Sequence, residues 1–389
     1  NNEIEKRERA INKPKILVCM SGGVDSSVAA ALLVQAGYDV TGAFMVNYDD
    51  QNEKKTCLQG VALAKPCWRG DYQDALRVAA KLHIPLLRLN FVREYKKAVL
   101  DYMYSEYKKG RTPNPDVLCN KFVKFGFWLK KAKELGFGYM ATGHYAKISR
   151  KLKVESRKLK DFEIKLLQAK DDNKDQTYFL HQLNQSQLKH IMFPIGEYTK
   201  DEVRKLADKF GLPTAKKEES MGICFIGEVP MKEFLQKKIK SKKGKIVLNG
   251  TKEIIGEHTG VPFYTIGQRI GKEVESRKLK VESDSQSLFV IKKDVKKNIL
   301  FVGYENDSEL LKQEIEVEDV NWISGQKPKL PLKCEVRLRH RQTLQKCVCE
   351  AKGSKNLIIK FDNPQKAVTP GQFAVFYNKG VCLGGGTIK

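Results

Sequence analysis

Residues 15 to 36, KILVCMSGGVDSSVAAALLVQA, constrain the fold of this chain more than any other stretch. Ile16 to Met20 is apolar and β-favouring, Ser21-Gly22-Gly23 interrupts it, and an alanine- and leucine-rich run then passes through Ser26 and Ser27 to Gly37. That order spells strand, tight turn, helix. Two glycines let a ligand approach the backbone closely, and a helix start offers free N–H groups and the positive end of the dipole, which together suit a phosphate. The same glycine pair also serves as a plain connection in α/β proteins. No Gly-Lys-Ser/Thr follows at Walker spacing and the dinucleotide fingerprint is missing, so neither of those phosphate loops is present.

Beyond this unit strand and helix keep alternating. YDVTGAFMV (38–46) and PLLRLNF (85–91) read as strands, DYQDALRVAAKLHI (71–84) as an amphipathic helix, and REYKKAVLDYMYSEYKKG (93–110) as a long basic helix. Residues 49–70 read as a polar surface insertion, and FGYMATGHYAKIS (137–149) as a strand ending in Thr142-Gly143-His144. The pattern predicts an α/β fold with a doubly wound parallel sheet, whose ligand site lies at the carboxyl ends of the strands. TKDEVRKLADKFGLP (199–213) is a helix with Thr199 and Glu202 as a capping box and Gly211 and Pro213 as its stop. From about residue 246 short alternating strands replace the helices, predicting a small C-terminal β-barrel. The expected division is a catalytic domain over 13–212, a small central domain over 213–290 and the barrel over 291–389.

Lys plus Arg total 71 against 46 Asp plus Glu, a net charge of +25 that favours a polyanionic partner, nucleic acid first. No apolar run reaches the roughly 20 residues of a membrane span, and residues 1–12 lack the apolar core of a secretion signal, so a cytoplasmic or organellar setting is expected. Nine cysteines without a CxxC pair suit free, buried or catalytic thiols in a reducing compartment, and no structural metal site is expected.

Two of those cysteines stand out. In RTPNPDVLCNKFVKFG (111–126) the prolines delay the helix to about Val117, so Asp116 and Cys119 share a face of its first turn. A helix N-terminus lowers a thiol pKa and a nearby carboxylate raises it, so a reactive and a semi-buried structural cysteine both fit. Cys224 lies between Gly222 and Gly227 in ESMGICFIG (219–227), compatible with a mobile segment or a buried strand. The unit RKLKVES recurs in 150–160 and 274–283, read as inserted charged loops or short exposed helices.

Ser21-Gly22-Gly23-Val24-Asp25-Ser26-Ser27 resembles the SGGxDSS signature of the PP-loop ATP pyrophosphatase superfamily. CMSGGVDSSVAA, NPDVLCNKFVKF, ATGHYAKI, NKDQTYFL, FPIGEYTKDEVR, MGICFIG, YTIGQR, PGQFAVFY and CLGGGTI, in this order across nearly the whole chain, resemble the tRNA-specific 2-thiouridylase family. The resemblance implies ATP, with Mg²⁺, bound by Cys19, Met20, Ser21, Gly22, Gly23, Val24, Asp25 and Ser26, with Met45 and Gly143 beside the adenine and ribose. It implies Asn114, Pro115 and Asp116 around the target base, Cys119 at the nucleophile position and Cys224 as persulfide carrier. It places tRNA against His144, Lys174, Asp175, Gln176, Arg339, His340 and Gln372, and calls for a persulfide donor such as a cysteine desulfurase or relay protein acting on a monomer. The implied thiolate chemistry rises with pH through the governing cysteine. The chain departs from the family after YTIGQR, at His340 where tyrosine is frequent, and in the 49–70 insertion. Two other readings remain: a different PP-loop ligase or 4-thiolating enzyme, and a basic RNA-binding protein with a vestigial nucleotide loop.

Overall fold

In a computed structural model, residues 14–48, 68–219, 230–271 and 287–389 are described, apart from 156–157 and 354–355, with the backbone alone over 151–162. Strand β1 (Lys15–Cys19) alternates between two cores: Ile16 and Val18 pack on one side, Leu17 and Cys19 on the other. A strand apolar on both faces belongs in the middle of a covered parallel sheet, and β1 sits there. Its neighbours are β2 (Asp39–Val46) and, further along the chain, β4 (Tyr139–Ala141). With β3 (Leu86–Asn90) and β7 (Ile191–Met192) the order is β3-β2-β1-β4-β7, every pairing parallel. The doubly wound expectation holds.

Helix α1 (Val24–Gln35) follows β1, and α2 (Trp68–Lys81) leads into β3. The helical runs over 92–108 and 115–134 each contain a π-helical segment, Lys96–Leu100 and Cys119–Trp128. Such widened turns are rare and cluster at functional positions; Cys119 opens the second. Helix α3 (Lys200–Lys209) carries the expected box: Thr199 Oγ1 accepts from Glu202 N at 3.3 Å, and Glu202 Oε2 from Thr199 N at 2.7 Å.

The stretch 137–149 is two strands with a loop between them. β4 stops at Ala141, residues 142–146 form the loop, and β5 (Lys147–Glu155) then turns into β6 (Lys158–Leu167). This corrects the reading of 150–160 as loop or helix: the first RKLKVES copy lies in an antiparallel hairpin. Alternating Leu and Val among lysines supply the two-residue period of a strand. The second copy, like the greater part of the 49–70 insertion, lies outside the described residues.

A second sheet joins β8 (Gly244–Leu248), β9 (Ile254–His258), β10 (Arg269–Ile270), β11 (Leu288–Asp294) and β12 (Ile299–Tyr304) in the order β10-β11-β12-β8-β9. The last unit is the expected barrel. β13 (Leu311–Trp322), β14 (Leu332–Arg337), β15 (Gln345–Lys352), β16 (Asn356–Lys366), β17 (Phe373–Asn378) and β18 (Val381–Ile388) run β13-β16-β15-β14-β17-β18, and β13 pairs with β18 to close the ring. β6 adds to β18 through Leu166↔Cys382 and Leu167↔Val381, so the hairpin ties the parallel-sheet unit to the barrel.

Segment 175–183 is the second tie. Asp175, 1% exposed, accepts from Arg337 Nη1 at 2.8 Å, from Ala169 N at 3.2 Å and from Thr177 Oγ1 at 2.8 Å. Tyr178 Oη donates to the carbonyls of Leu338 and Phe373. Asp175 therefore has no carboxylate face left for RNA; its charge is spent on the barrel. Removing one partner of a buried pair leaves the other charge uncompensated, so Asp175→Ala should cost about 3–5 kcal/mol in urea unfolding. A loss under about 1 kcal/mol would show that the pair does not hold the two units together.

Burial also sets a pH dependence. His181, fully buried with Nδ1 donating to Tyr178 O at 2.7 Å, has its pKa lowered from 6.5 to about 4, chiefly by desolvation. The unfolded chain takes up a proton below 6.5 that the folded one refuses, so the stability present above pH 6.5 drains away as pH falls toward 4, by at most about 1.4 kcal/mol per pH unit. Urea midpoints at pH 7 and pH 5 should differ in that direction, and His181→Gln should flatten the difference.

Candidate active site

The loops leaving β1 and β4 meet where the strand order reverses, the position at which open α/β sheets bind ligands. Gly22 has φ +77°, and a Cβ there would stand 2.2 Å from Asp71 O. Gly143 is pressed onto the first turn of α1, its missing Cβ 2.7 Å from Ser26 N and 2.8 Å from Asp25 C. The loop between them is wound on itself. Ser21 N donates to Ser26 Oγ at 3.2 Å and Ser27 Oγ to Gly23 O at 2.7 Å, while Gly23 is the N-cap of α1 without a side-chain cap. The first N–H groups of α1 thus face the crevice with a dipole end suited to an anion.

Lysines and carboxylates ring this loop. Lys200 Nζ, on a side chain 11% exposed, lies 2.6 Å from Asp25 Oδ1 and 3.0 Å from Glu219 Oε1. Tyr145 Oη donates to Asp25 Oδ1 at 2.9 Å, and Lys174 Nζ lies 2.6 Å from Glu219. Burial pushes the Glu219 carboxyl up, but hydrogen bonds from Lys174 and Lys200 outweigh it and hold the pKa at about 2. On the other flank Lys217 Nζ donates to Gly22 O at 3.1 Å and pairs with Asp71 and Asp74 at 2.7 and 2.6 Å. Two ammonium groups touch the loop, Lys200 at Asp25 and Lys217 at Gly22, and a third, Lys174, joins Lys200 through Glu219, each engaged by oxygen atoms that a polyphosphate resembles.

The remaining predicted residues fall into three groups. Cys19, Met20, Val24 and Met45 are buried in the walls under the loop. Desolvation raises the Cys19 thiol to about 12, so it stays neutral and packs. Asn114 caps the helix of Cys119, its Oδ1 accepting from Asp116 N and Val117 N at 3.2 and 3.3 Å. Its Nδ2 reaches Gln372 Oε1 at 3.4 Å, and Gln372 Nε2 donates to Thr112 O at 2.9 Å, so the Asn114–Pro115–Asp116 turn is bound to the barrel. Cys119 itself is fully buried in the core that includes Cys19 and Met45. Cys224 lies outside the described residues.

On the side assigned to RNA, Arg339 is exposed and His340 half-buried, its ring 4.6 Å from that of Phe179. Gln176 Oε1 accepts from Tyr145 N at 3.0 Å, holding the β4 loop. His144 is 8% exposed, with Nδ1 2.7 Å from Thr142 Oγ1 and Nε2 3.4 Å from Lys124 Nζ. Burial, then Lys124, keeps it neutral. Both ring nitrogens are occupied, so in this packing His144 orients its neighbours and presents no cation to RNA.

The sequence alone assigns no site role to Lys200, Lys217, Tyr145 or Glu219. Lys200 did carry a signal: it is the first residue of α3, where a cation opposes the helix dipole and needs an outside partner. Lys217, Tyr145 and Glu219 reach the loop only through folding. Because the glycines admit no Cβ, Gly143→Ala and Gly22→Ala must displace backbone, a strain of order 1–3 kcal/mol. Each should weaken ATP binding about tenfold or more in calorimetry; normal affinity in both would remove the loop from the ligand site.

The comparisons with known proteins agree along the chain. Residues 14–228 match the family described as tRNA methyl transferase HUP domain, 232–304 the tRNA methyl transferase PRC-barrel domain, and 312–388 the aminomethyltransferase beta-barrel domain. The tRNA-specific 2-thiouridylase MnmA of Geobacillus thermodenitrificans is 44% identical over 98% of this chain and 96% of its own length. That of Streptococcus mutans is 44% identical over 97% and 95%. Among solved structures, a 4-thiouridine synthetase–RNA complex with bound ATP aligns at a TM-score of 0.32 and 18% identity, covering 58% of this chain and 50% of that one, too distant to weigh. With relatives this similar over almost its whole length, the chain belongs to the tRNA-specific 2-thiouridylase family.

Proposed function

We propose that this protein is an ATP-dependent tRNA-uridine 2-sulfurtransferase that replaces the C2 oxygen of a wobble uridine with sulfur. The observation that carries the reading is the switch-point crevice, where Gly143 seats the β4 loop against the first turn of α1, Lys200 and Lys217 engage Asp25 and the Gly22 carbonyl, and Lys174 joins Lys200 through Glu219. Uracil's C2 oxygen leaves poorly. Adenylation turns it into the oxygen of AMP, and the loop N–H groups with the lysine ring would take the charge of departing pyrophosphate. Asp25, a carboxylate 32% exposed at the mouth of the loop, is the kind of hard oxygen donor Mg²⁺ takes. When bound, Mg²⁺ would offset phosphate charge.

The sulfur then comes from a persulfide on Cys224, loaded by a donor of the cysteine desulfurase or relay class. Its terminal sulfur attacks C2 and AMP leaves, so the base is joined to Cys224 through a disulfide. The Cys119 thiolate attacks the Cys224 sulfur, releasing the 2-thiouridine and leaving a Cys119–Cys224 disulfide for a cellular thiol to reduce. Glu219, held by Lys174 and Lys200, fixes the chain five residues before Cys224 beside the loop. Cys119 is buried, so the Asn114–Asp116 turn must open as the base enters; its bonds to Gln372 couple that opening to the barrel. The enzyme would act as a monomer in the cytoplasm or an organelle, where thiols stay reduced; among the described residues no helix is long and apolar enough to cross a membrane.

Purified protein given tRNA, ATP and a persulfide donor should form 2-thiouridine at the wobble position, read by liquid chromatography and mass spectrometry. Appearance of 4-thiouridine instead would favour the 4-thiolating alternative, and an Asp25→Ala enzyme of full biological activity would favour the RNA-binding one. Cys224→Ala should lose thiolation entirely yet still release pyrophosphate in its first turnover with tRNA. Thiolation by that variant at more than a tenth of the normal rate, about 1.4 kcal/mol of barrier, would overturn the persulfide route.

A further inference from the structure

Inside the barrel three thiols converge that the proposed reaction does not use. Cys334 on β14 stands directly opposite Cys347 on β15, and Cys349, two residues on, shares its face. The Cys334 sulfur lies 3.7 Å from that of Cys347 and 3.4 Å from that of Cys349, and all three fall within 4.8 Å of one another. They are 9%, 3% and 0% exposed, free of disulfides, and packed among Ile315, Leu357 and Ile359. We propose that Cys334, Cys347 and Cys349 form a trithiolate site for a soft d¹⁰ cation of the copper(I) class.

Sulfurs bound at about 2.3 Å to a common ion stand about 3.8–4.0 Å apart, so the two spacings to Cys334 need to open by only a few tenths of an ångström, and Cys347 and Cys349 already lie within 4.8 Å of each other. The donor chemistry selects the ion. Among the described residues the cluster contains no carboxylate and no imidazole, which leaves hard cations without ligands, whereas thiolates prefer soft ones. Zinc asks for a fourth ligand, and a three-coordinate ion does not. The Cys334 sulfur already lies within hydrogen-bond reach of both Cys347 and Cys349, contacts that draw its pKa down. Each thiol that ligates gives up its proton, so loading releases protons. It would also staple β14 to β15 and stabilise the folded barrel by mass action.

The test compares the reduced full-length protein with its Cys334→Ala/Cys347→Ala/Cys349→Ala variant under anaerobic titration with copper(I) against a competing chelator. The variant should lose one tight equivalent relative to the parent, and X-ray absorption of the parent's one-equivalent complex should show three sulfur neighbours. Cys349→Ala alone, should the triple variant not fold, should bind about tenfold or more weakly, with the sulfur count falling to two. Equal stoichiometry and affinity in parent and variants would place the metal on other cysteines and overturn the proposal, and so would a parent that binds no tight equivalent.

Discussion

The first turn of α1 rests against Gly143 with no room for a methyl group between them, and this contact brings the loops after β1 and β4 to the same point. Without it the crevice at the strand reversal would be a gap between two connections. With it, the backbone N–H groups of the Ser21–Ser26 turn and the loop carrying Thr142 to Tyr145 form one wall, and Tyr145 can donate to Asp25. The sheet order supplies the position, and the glycines supply the proximity.

Charge completes the site. Lys200 is mostly buried and would be expensive there alone, so Asp25 and Glu219 hold it. Lys217 is held the same way by Asp71, Asp74 and the carbonyl of Gly22. These pairs hold both ammonium groups in fixed positions beside the loop. The links also run outward: Glu219 leads toward Cys224, and Asn114 leads through Gln372 to the barrel that Asp175 and Arg337 fasten to the sheet. The Asn114 turn is thus bound to the barrel as well as to its own helix.

Much of this was legible in the sequence because it is local. The β1-loop-α1 unit, the capping box of Thr199 and Glu202, and the barrel's alternation each declare themselves within a dozen residues. What escaped depends on distant pairing. Residues 150–160 are so rich in lysine that they read as loop, yet β5 and β6 pair with each other there, and the far end of β6, at Leu166 and Leu167, joins β18, more than 200 residues away. Asp175 stands in a polar run that looks exposed, yet Arg337 draws it into the interior. Lys200 looked like helix surface because its partners, Asp25 and Glu219, belong to other segments. The resemblance to the thiouridylase family pointed to residues around the loop, and the fold adds Lys200, Lys217 and Tyr145 beside them.

The claim that this crevice is where ATP is cleaved, and that Lys200 serves the phosphates there, is tested most directly by pyrophosphate release from Lys200→Met in a single turnover with tRNA. The account predicts a rate lower by about 10²-fold or more, the scale of losing one preorganised charge donor, with folding near normal. A variant that releases pyrophosphate at the parent's rate would contradict it.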